Sequence, residues 1–304
     1  MSGVDRPPVA VLYGGPSAEH DVSIVSGTAI ADALTGAGVA VDQVFIDLAG
    51  RWWWLPGGHH RDGRPGAAYD DPAALGAAGP LGPGKALDRL CSGEPAPVVF
   101  IALHGPFGED GTVQGMLEGA GLCYTGSGVA ASALGMDKAL FKRLGRGLGL
   151  PVIDWLEVRA ERWAGDRQAV LAKLDAFTRR KGDQRLMIKP ARLGSRVGMT
   201  LAHGPDERAG AIELALRHDT LALVERYVAG ARELEVSVIG NDPDTLEVYG
   251  PGEVLSGREF YDFAAKYTPG LSETSIRAEL PADLRAEIRR LAIPALIVVG
   301  DEDD

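Results

Sequence analysis

The sequence has little cysteine, no long apolar run and no concentrated positive charge, and each of these gaps removes a class of protein. Only Cys91 and Cys123 are present. They match no metal-ligand spacing and suggest no disulfide framework, so they read as buried or idle thiols. No window approaches the roughly 18–20 uninterrupted apolar residues needed to cross a bilayer. The start, MSGVDRPPVAVLYGG, lacks the basic-then-apolar order of a secretory leader, which makes a cytoplasmic location the expectation. Lysine and arginine are scattered, and the formal net charge is -11. Nucleic acid is a poor partner for such a chain, because phosphate neutralisation dominates that kind of binding.

What is present is an alternation of strand-like and helix-like segments over 304 residues, enough for two or three packed units. The alternation predicts an α/β protein with a largely parallel sheet. Strands are expected at 8–15, 39–48, 97–105 and 122–126, with helices over 17–34 and 112–121. In the first pair, Val9, Val11 and Tyr13 are expected on one strand face, with Val22, Val25 and Ala29 along the helix. Residues 50–90, rich in Gly, Pro, Ala and His, read as loops with one short helix. Single helices are expected over 132–149 and over the segment beginning ERWAGDRQ. RLMIKP reads as a strand, 205–218 as a helix, and ALVERYV and RELEVSVIG as strands around a glycine-containing turn. A final helix, 282–293, is expected to end or kink at Pro294.

Six segments carry side chains suited to chemistry. In GGPSAEHDVS (14–23), Gly14 and Gly15 permit a tight turn and Ser17 can cap the following helix. Glu19 and Ser23, four apart, share a face near a helix N-terminus, where a charged substrate would meet a carboxylate and free N–H groups. A capping segment with solvated polar groups would give the same pattern. HGPFGEDG (104–111) places His104 at the C-terminal end of a strand, where open α/β sheets bind ligands; a satisfied structural histidine is equally compatible with that position. GSGVAA (126–131) is a near match to a dinucleotide fingerprint, but no acidic residue ends a strand ~20 positions later. It reads as a turn, and the sequence holds no G-x-x-x-x-G-K-[ST] loop.

Lys138 and Lys189 form the fourth feature. Lys189 ends RLMIKP, and the following loop (191–199) holds Gly194 and Gly198, whose flanking amides could approach phosphate oxygens with Ser195 and Arg196. The fifth is LVERYVAGARELEVSV, where Glu225 and Glu233 flank a turn and either hold ribose hydroxyls or face water. The sixth, EFYDFAAKY (259–267), is a surface helix or loop with Tyr261 and Phe263 packed inward, unless it works in a site.

In order along residues 8–293, these segments resemble the motifs of the D-alanine–D-alanine ligases: GGPSAEHDVS, LHGPFGEDGTVQG, GSGVAASALGMDK, KPARLGSRVGM, VERYVAGARELEV and EFYDFAAKY. The resemblance implies an ATP-grasp fold, with a parallel-sheet domain over 1–126, a central α+β domain over 127–224 and a truncated C-terminal α+β domain over 225–304. It implies phosphorylation of one D-alanine carboxylate by ATP and attack of a second D-alanine amine on the acyl phosphate, in peptidoglycan precursor synthesis. It assigns Glu19, Ser195 and Tyr267 to catalysis, and Ser23, His104 and Lys266 to substrate binding. ATP would be held by Lys138, Lys189, Arg196, Glu225, Val228 and Glu233. Tyr267, in the mobile loop with Lys266, favours the dipeptide over D-alanyl-D-lactate, whose ligases carry a histidine in that role. Arg196 departs from the family, which has a second small hydroxyl residue there.

A larger departure follows Pro294. The family continues with a strand carrying Arg and Asp and then a Glu-x-Asn segment that hold magnesium, and nothing here matches them. ATP and Mg2+ are the implied cofactors, with no metal ligand identified in the chain. The alternatives are a silent homologue that binds ATP or D-alanine without turnover, and a truncated ligase. A homodimer is consistent with the family.

Overall fold

The computed structural model describes residues 6–179, 183–240, 245–256 and 272–299. Two compact units divide it, Met1–Ala133 and Leu134–Asp304.

The first unit is built on a five-stranded sheet. Strand β1 (Val9–Gly14) lies parallel to β2 (Val41–Ile46) on one side and to β5 (Val98–Ile101) on the other. Two antiparallel strands, β3 (Trp52–Trp54) and β4 (Ala78–Leu81), extend the far edge in the order β4-β3-β2-β1-β5. Strand alternation sends Ala10, Leu12, Val44, Ile46, Trp52 and Trp54 to one face, packed by α2 (Pro83–Cys91) and α3 (Thr112–Gly119). Val11, Tyr13, Phe45 and Trp53 go to the other, with Ile24 and Ala31 of α1 (His20–Gly36) and Tyr69.

Helix α1 buries a different face from the one its valines suggest. His20, Ser23, Ile24, Gly27, Thr28 and Ala31 are inside, while Val25 and Ala29 are exposed. Close approach to β1 decides this, since a Cβ at Gly27 would stand 2.3 Å from Tyr13 Cβ. Gly27 must face the sheet there, and Val25 and Ala29 turn away.

Residues 50–90 are also more ordered than loops with one short helix. They contain β3, β4, α2 and two 3-10 turns, Gly66–Tyr69 and Pro72–Leu75. The run Trp52, Trp53, Trp54 carries the edge: three buried indoles alternate across both faces without the usual small-residue punctuation. The strand expected at 122–126 is reduced to one parallel bridge, Val99 to Tyr124. Cys91 and Cys123 are exposed free thiols rather than buried ones.

Helix α4 (Val129–Met136) leads into the second unit. Asp137 breaks the single helix expected over 132–149, because its carboxylate caps α5 (Lys138–Gly147) by accepting from the Ala139 and Leu140 N–H groups, both at 3.0 Å. Asp166 acts likewise between α6 (Ala160–Gly165) and α7 (Arg167–Arg179), accepting from Ala169 N–H at 3.0 Å. These helices accompany an antiparallel sheet of β6 (Trp155–Arg159), β7 (Leu186–Pro190), β8 (Thr200–Ala202) and β9 (Leu221–Arg226), in the order β6-β9-β7-β8. One sheet face, with Val158, Leu186, Ile188, Ala222 and Val224, forms an apolar core with residues of α6, α7 and α8 (Pro205–Leu216). A second antiparallel sheet of β10 (Glu233–Ile239), β11 (Glu247–Ser256) and β12 (Ser272–Ser275) follows. The last helix, α9 (Ala282–Val299), runs on past Pro294. A proline removes one N–H from the helical ladder, and the helical backbone on both sides of it here carries the helix through.

Candidate active site

The chemistry-bearing face of the four-stranded sheet is the one turned away from its large apolar core. On β9 the alternation puts Leu223 and Glu225 on this face. Glu225 pairs in register with Trp155 of β6 and Met187 of β7, and Lys189 pairs with Leu223. A carboxylate and an ammonium therefore share one surface two residues apart in register. Their ion pair is 2.6 Å, from Lys189 Nζ to Glu225 Oε2. Lys142 of α5 reaches the other carboxylate oxygen, Nζ to Oε1, at 2.8 Å. Glu225 is only 5% exposed. Burial alone would raise its pKa, but the two lysines outweigh burial and hold it below the usual carboxylate range.

Lys138 sits one helical turn before Lys142. Its Nζ donates to the carbonyl of Leu193 and, at 3.4 Å, to that of Ala191. Desolvation, with the positive charge of Lys189 adding to it, lowers its pKa to about 8 against the opposing pull of Glu225. Two lysines thus pair with one carboxylate and a third stands near them on backbone carbonyls, an excess of positive charge suited to an anion.

The loop after β7 has a constrained backbone. Ser195 and Arg196 both take positive φ, 42° and 61°, a left-handed conformation uncommon for residues with side chains. Gly198, at φ 69°, could not carry a Cβ without meeting the His218 ring at 2.7 Å. Arg196 forms a two-pronged pair with Glu233, NH2 to Oε2 at 2.5 Å and NH1 to Oε1 at 3.4 Å. The arginine that replaces a small hydroxyl residue is therefore tied to the carboxylate expected to meet ribose.

Most of these groups, though not Lys142, line one cavity of about 890 Å3. Lys138, Lys189, Ser195, Arg196, Glu225, Val228 and Glu233, assigned from sequence, all contribute to its wall. Met187, Ile153 and Leu255 supply apolar surface, and Val228 is half-exposed beside them. Sequence reading missed Lys142, although its i+4 spacing from Lys138 places both on one helix face. It also missed Arg185, which lies over the Tyr227 ring at 4.7 Å in the same wall.

The first unit arranges its candidates differently. Ser23 is fully buried and its hydroxyl is committed twice, accepting from Gly14 N–H at 2.8 Å and donating to Ala102 C=O at 2.7 Å. It ties the ends of β1 and β5 together. Glu19 is the N-cap of α1 and is 5% exposed. Gly105 packs so closely that a Cβ there would come within 2.6 Å of Glu19 Oε2. His104 is partly exposed, with Nε2 2.9 Å from Ser26 Oγ, while its carbonyl accepts from Ser17 Oγ at 2.7 Å. Glu19, Ser23 and His104 thus cluster at the C-terminal edge of the parallel strands.

Tyr267 and Lys266, with the rest of EFYDFAAKY, lie outside the described residues. Among the described residues no group of three or more His, Cys, Asp or Glu side chains could hold a metal ion. Magnesium is commonly held by one or two carboxylates together with substrate phosphates, and no chemical step is assigned to it here. Nor is any described helix long and apolar enough to cross a membrane.

Two family descriptions match this chain in sequence. Residues 8–127 match the D-ala D-ala ligase N-terminus, and residues 144–303 match the D-ala D-ala ligase C-terminus. The chain belongs to the D-alanine–D-alanine ligase family. It is 39% identical to the D-alanine–D-alanine ligase of Kineococcus radiotolerans, across 99% of this chain and 83% of that one. With the D-alanine–D-alanine ligase of Mycolicibacterium smegmatis it shares 38% identity, over 99% and 83% of the two chains. Among solved structures it is similar to the D-alanine–D-alanine ligase of Coxiella burnetii, with TM-score 0.69, 27% identity and coverage of 97% and 78%. The VanG D-Ala:D-Ser ligase of Enterococcus faecalis superposes with TM-score 0.74 at 25% identity, covering 97% and 83%. The ATP-grasp architecture expected from the sequence agrees with these neighbours.

Proposed function

We propose that this chain catalyses ATP-dependent joining of two D-alanines through an acyl phosphate, supplying a dipeptide for peptidoglycan synthesis in the cytoplasm. The observation that carries this reading is the convergence of Lys138, Lys189, Arg196, Glu225, Val228 and Glu233 on one cavity of about 890 Å3. That volume lies within the range of small-molecule sites.

In this reading the cavity takes ATP. The backbone beside Val228 and the carboxylate of Glu225 face the base, and Glu233 faces the ribose. Lys138, Lys189 and Arg196 neutralise the phosphates, with Ser195 in the loop that covers them. Phosphoryl transfer depends chiefly on positioning and charge neutralisation, which a fixed lysine cluster supplies without reorganisation. Glu19 holds the ammonium of the first D-alanine, with Ser23 orienting the strand ends around it and His104 beside it. Attack of the second amine on the acyl phosphate forms the amide and releases phosphate. Tyr267 and Lys266 exclude water from that intermediate, and the tyrosine favours an amine over a hydroxyl acceptor. Magnesium is a family expectation, as is a homodimer.

The test mixes purified protein with ATP, magnesium chloride and D-alanine and follows phosphate release and D-alanyl-D-alanine together. Phosphate and dipeptide are expected in equal amounts, both dependent on D-alanine. ATP binding with no dipeptide would overturn the ligation reading and leave a nucleotide-binding homologue.

A further inference from the structure

Lys189 is held by Glu225 in the ligand-free chain, and full engagement of a phosphate draws it away from that carboxylate. With Nζ 2.6 Å from Glu225 Oε2, it is committed to a carboxylate that is itself almost entirely buried. Drawing Lys189 toward an anion would strip that carboxylate of a partner, and a buried charge without compensation is strongly unfavourable. The carboxylate has a second cation. Lys142, 12% exposed, holds Oε1 at 2.8 Å from α5, and its ammonium lies 5.2 Å from the centre of the Trp155 ring. Lys142 is absent from the cavity wall, whereas Lys189, Lys138 and Glu225 line it. Lys142 thus faces the carboxylate and the indole rather than the space an anion would enter.

We propose that Lys142 is a positioning residue that keeps Glu225 compensated, so that Lys189 can be handed from Glu225 to the phosphates of an incoming nucleotide. The handover rests on the reading of this cavity as a polyphosphate site. Lys142 acts through Lys189 and does not touch the ligand. Trp155 supports it: a ring face beside an ammonium holds the cation without offering a competing carboxylate. One helical turn separates Lys142 from Lys138, so α5 delivers one lysine to the cavity wall and the other behind the carboxylate.

The experiment is a double-mutant cycle with inorganic tripolyphosphate as the probe, which lacks the base and sugar that Glu225 and Glu233 would otherwise recognise. Binding is measured by calorimetry on the full chain, with ATP as the reference ligand. Lys142→Met is expected to weaken tripolyphosphate binding about tenfold when Lys189 is present, and less than about twofold in a Lys189→Met background. Lys142→Arg, which retains the cation, should bind within about threefold of the unmodified protein. Should the double variant fail to fold, Glu225→Gln provides the second background. Lys189 is already released there, and Lys142→Met should again cost less than about twofold. An equal loss in both backgrounds would mean that Lys142 contributes only its charge, and no loss in the first would mean it contributes nothing; either overturns the proposal. If the unmodified protein binds neither ATP nor tripolyphosphate, the polyphosphate reading of the cavity falls and the handover with it. Binding by the unmodified protein with an uncoupled cycle sinks the handover alone.

Discussion

Around their candidate residues the two units tie polar groups together by different means. In the first, Ser23 spends its hydroxyl on Gly14 N–H and Ala102 C=O, joining the strand ends beneath Glu19. Likewise Tyr13 donates to Gln43 at 3.0 Å, and Gln43 donates to the carbonyl of His59 at 2.7 Å. These are neutral bonds, each fixing one piece of backbone or side chain relative to another. In the second unit the groups in and behind the cavity wall are charged and set against one another: Lys142 and Lys189 on the buried Glu225, and the half-buried Arg196 on Glu233. Neutral pairs make a rigid rim. Paired charges make a surface whose partners can be exchanged for those of a ligand, and that arrangement belongs to the second unit.

Breaking the charged arrangement should have the largest effect. Glu225→Ala leaves Lys142 and Lys189 facing each other across the space of the lost carboxylate. We expect a loss of about 3 kcal/mol in the second unit, toward the lower limit for a broken buried pair because Lys189 lines the cavity and can turn toward it. The corresponding fall in melting temperature is roughly 6–12 °C, read by differential scanning calorimetry. A shift below about 2 °C would show that water already compensates the lysines, and the contrast between the units would lose its basis.

Ser23→Ala tests the neutral side. It leaves Gly14 N–H and Ala102 C=O without their side-chain partner inside the sheet edge, at a cost of about 2 kcal/mol. Urea denaturation followed by circular dichroism measures it, with the midpoint moving and the slope unchanged. A loss under about 0.5 kcal/mol would mean that another donor or a water enters, and that the rim is less rigid than its bonding suggests.

The elements that carry this contrast were legible in the sequence where they rest on order and spacing. The alternation of strands and helices predicted the parallel sheet of the first unit, and the strand–KP–glycine-loop pattern singled out Lys189, Ser195 and Arg196, which share the wall of one cavity. What escaped depends on proximity in space. No period in Val22, Val25 and Ala29 reveals that Gly27 must meet Tyr13, and so the buried face of α1 was misread. Asp137 and Asp166 each sit inside a stretch with helical periodicity, and only the capping bonds show that the helix restarts there. Arg196 was visible as a departure from the family, but its pairing with Glu233 joins residues 37 positions apart. Lys142 was within reach through its i+4 spacing from Lys138, and lacked only the knowledge that Glu225 lies across from it.

The smallest expected effect concerns Lys138, where the two consequences of pH run in opposite directions. Its pKa in the folded chain, about 8, lies below its ordinary value of 10.5, with burial the main cause and Lys189 the next. Below pH 8 the side chain is charged in both folded and unfolded states, and the full cost of burying that charge is present. Between about 8 and 10.5 the unfolded chain binds more protons than the folded one, so this group's contribution to stability improves as pH rises. Phosphate binding follows the other sign, because the deprotonated amine no longer attracts an anion. ATP affinity should therefore fall about tenfold between pH 7 and pH 9.5, with the fall beginning near pH 8, where the ligand-free amine loses its proton, and levelling off above the higher pKa of the phosphate-bound amine. Calorimetric titrations across that range, on the unmodified protein and on Lys138→Arg, separate this group from the rest. Arginine stays charged throughout and should flatten the profile. The same decline in both proteins would place the titrating group elsewhere and leave Lys138 as a tether for the loop carbonyls of Ala191 and Leu193.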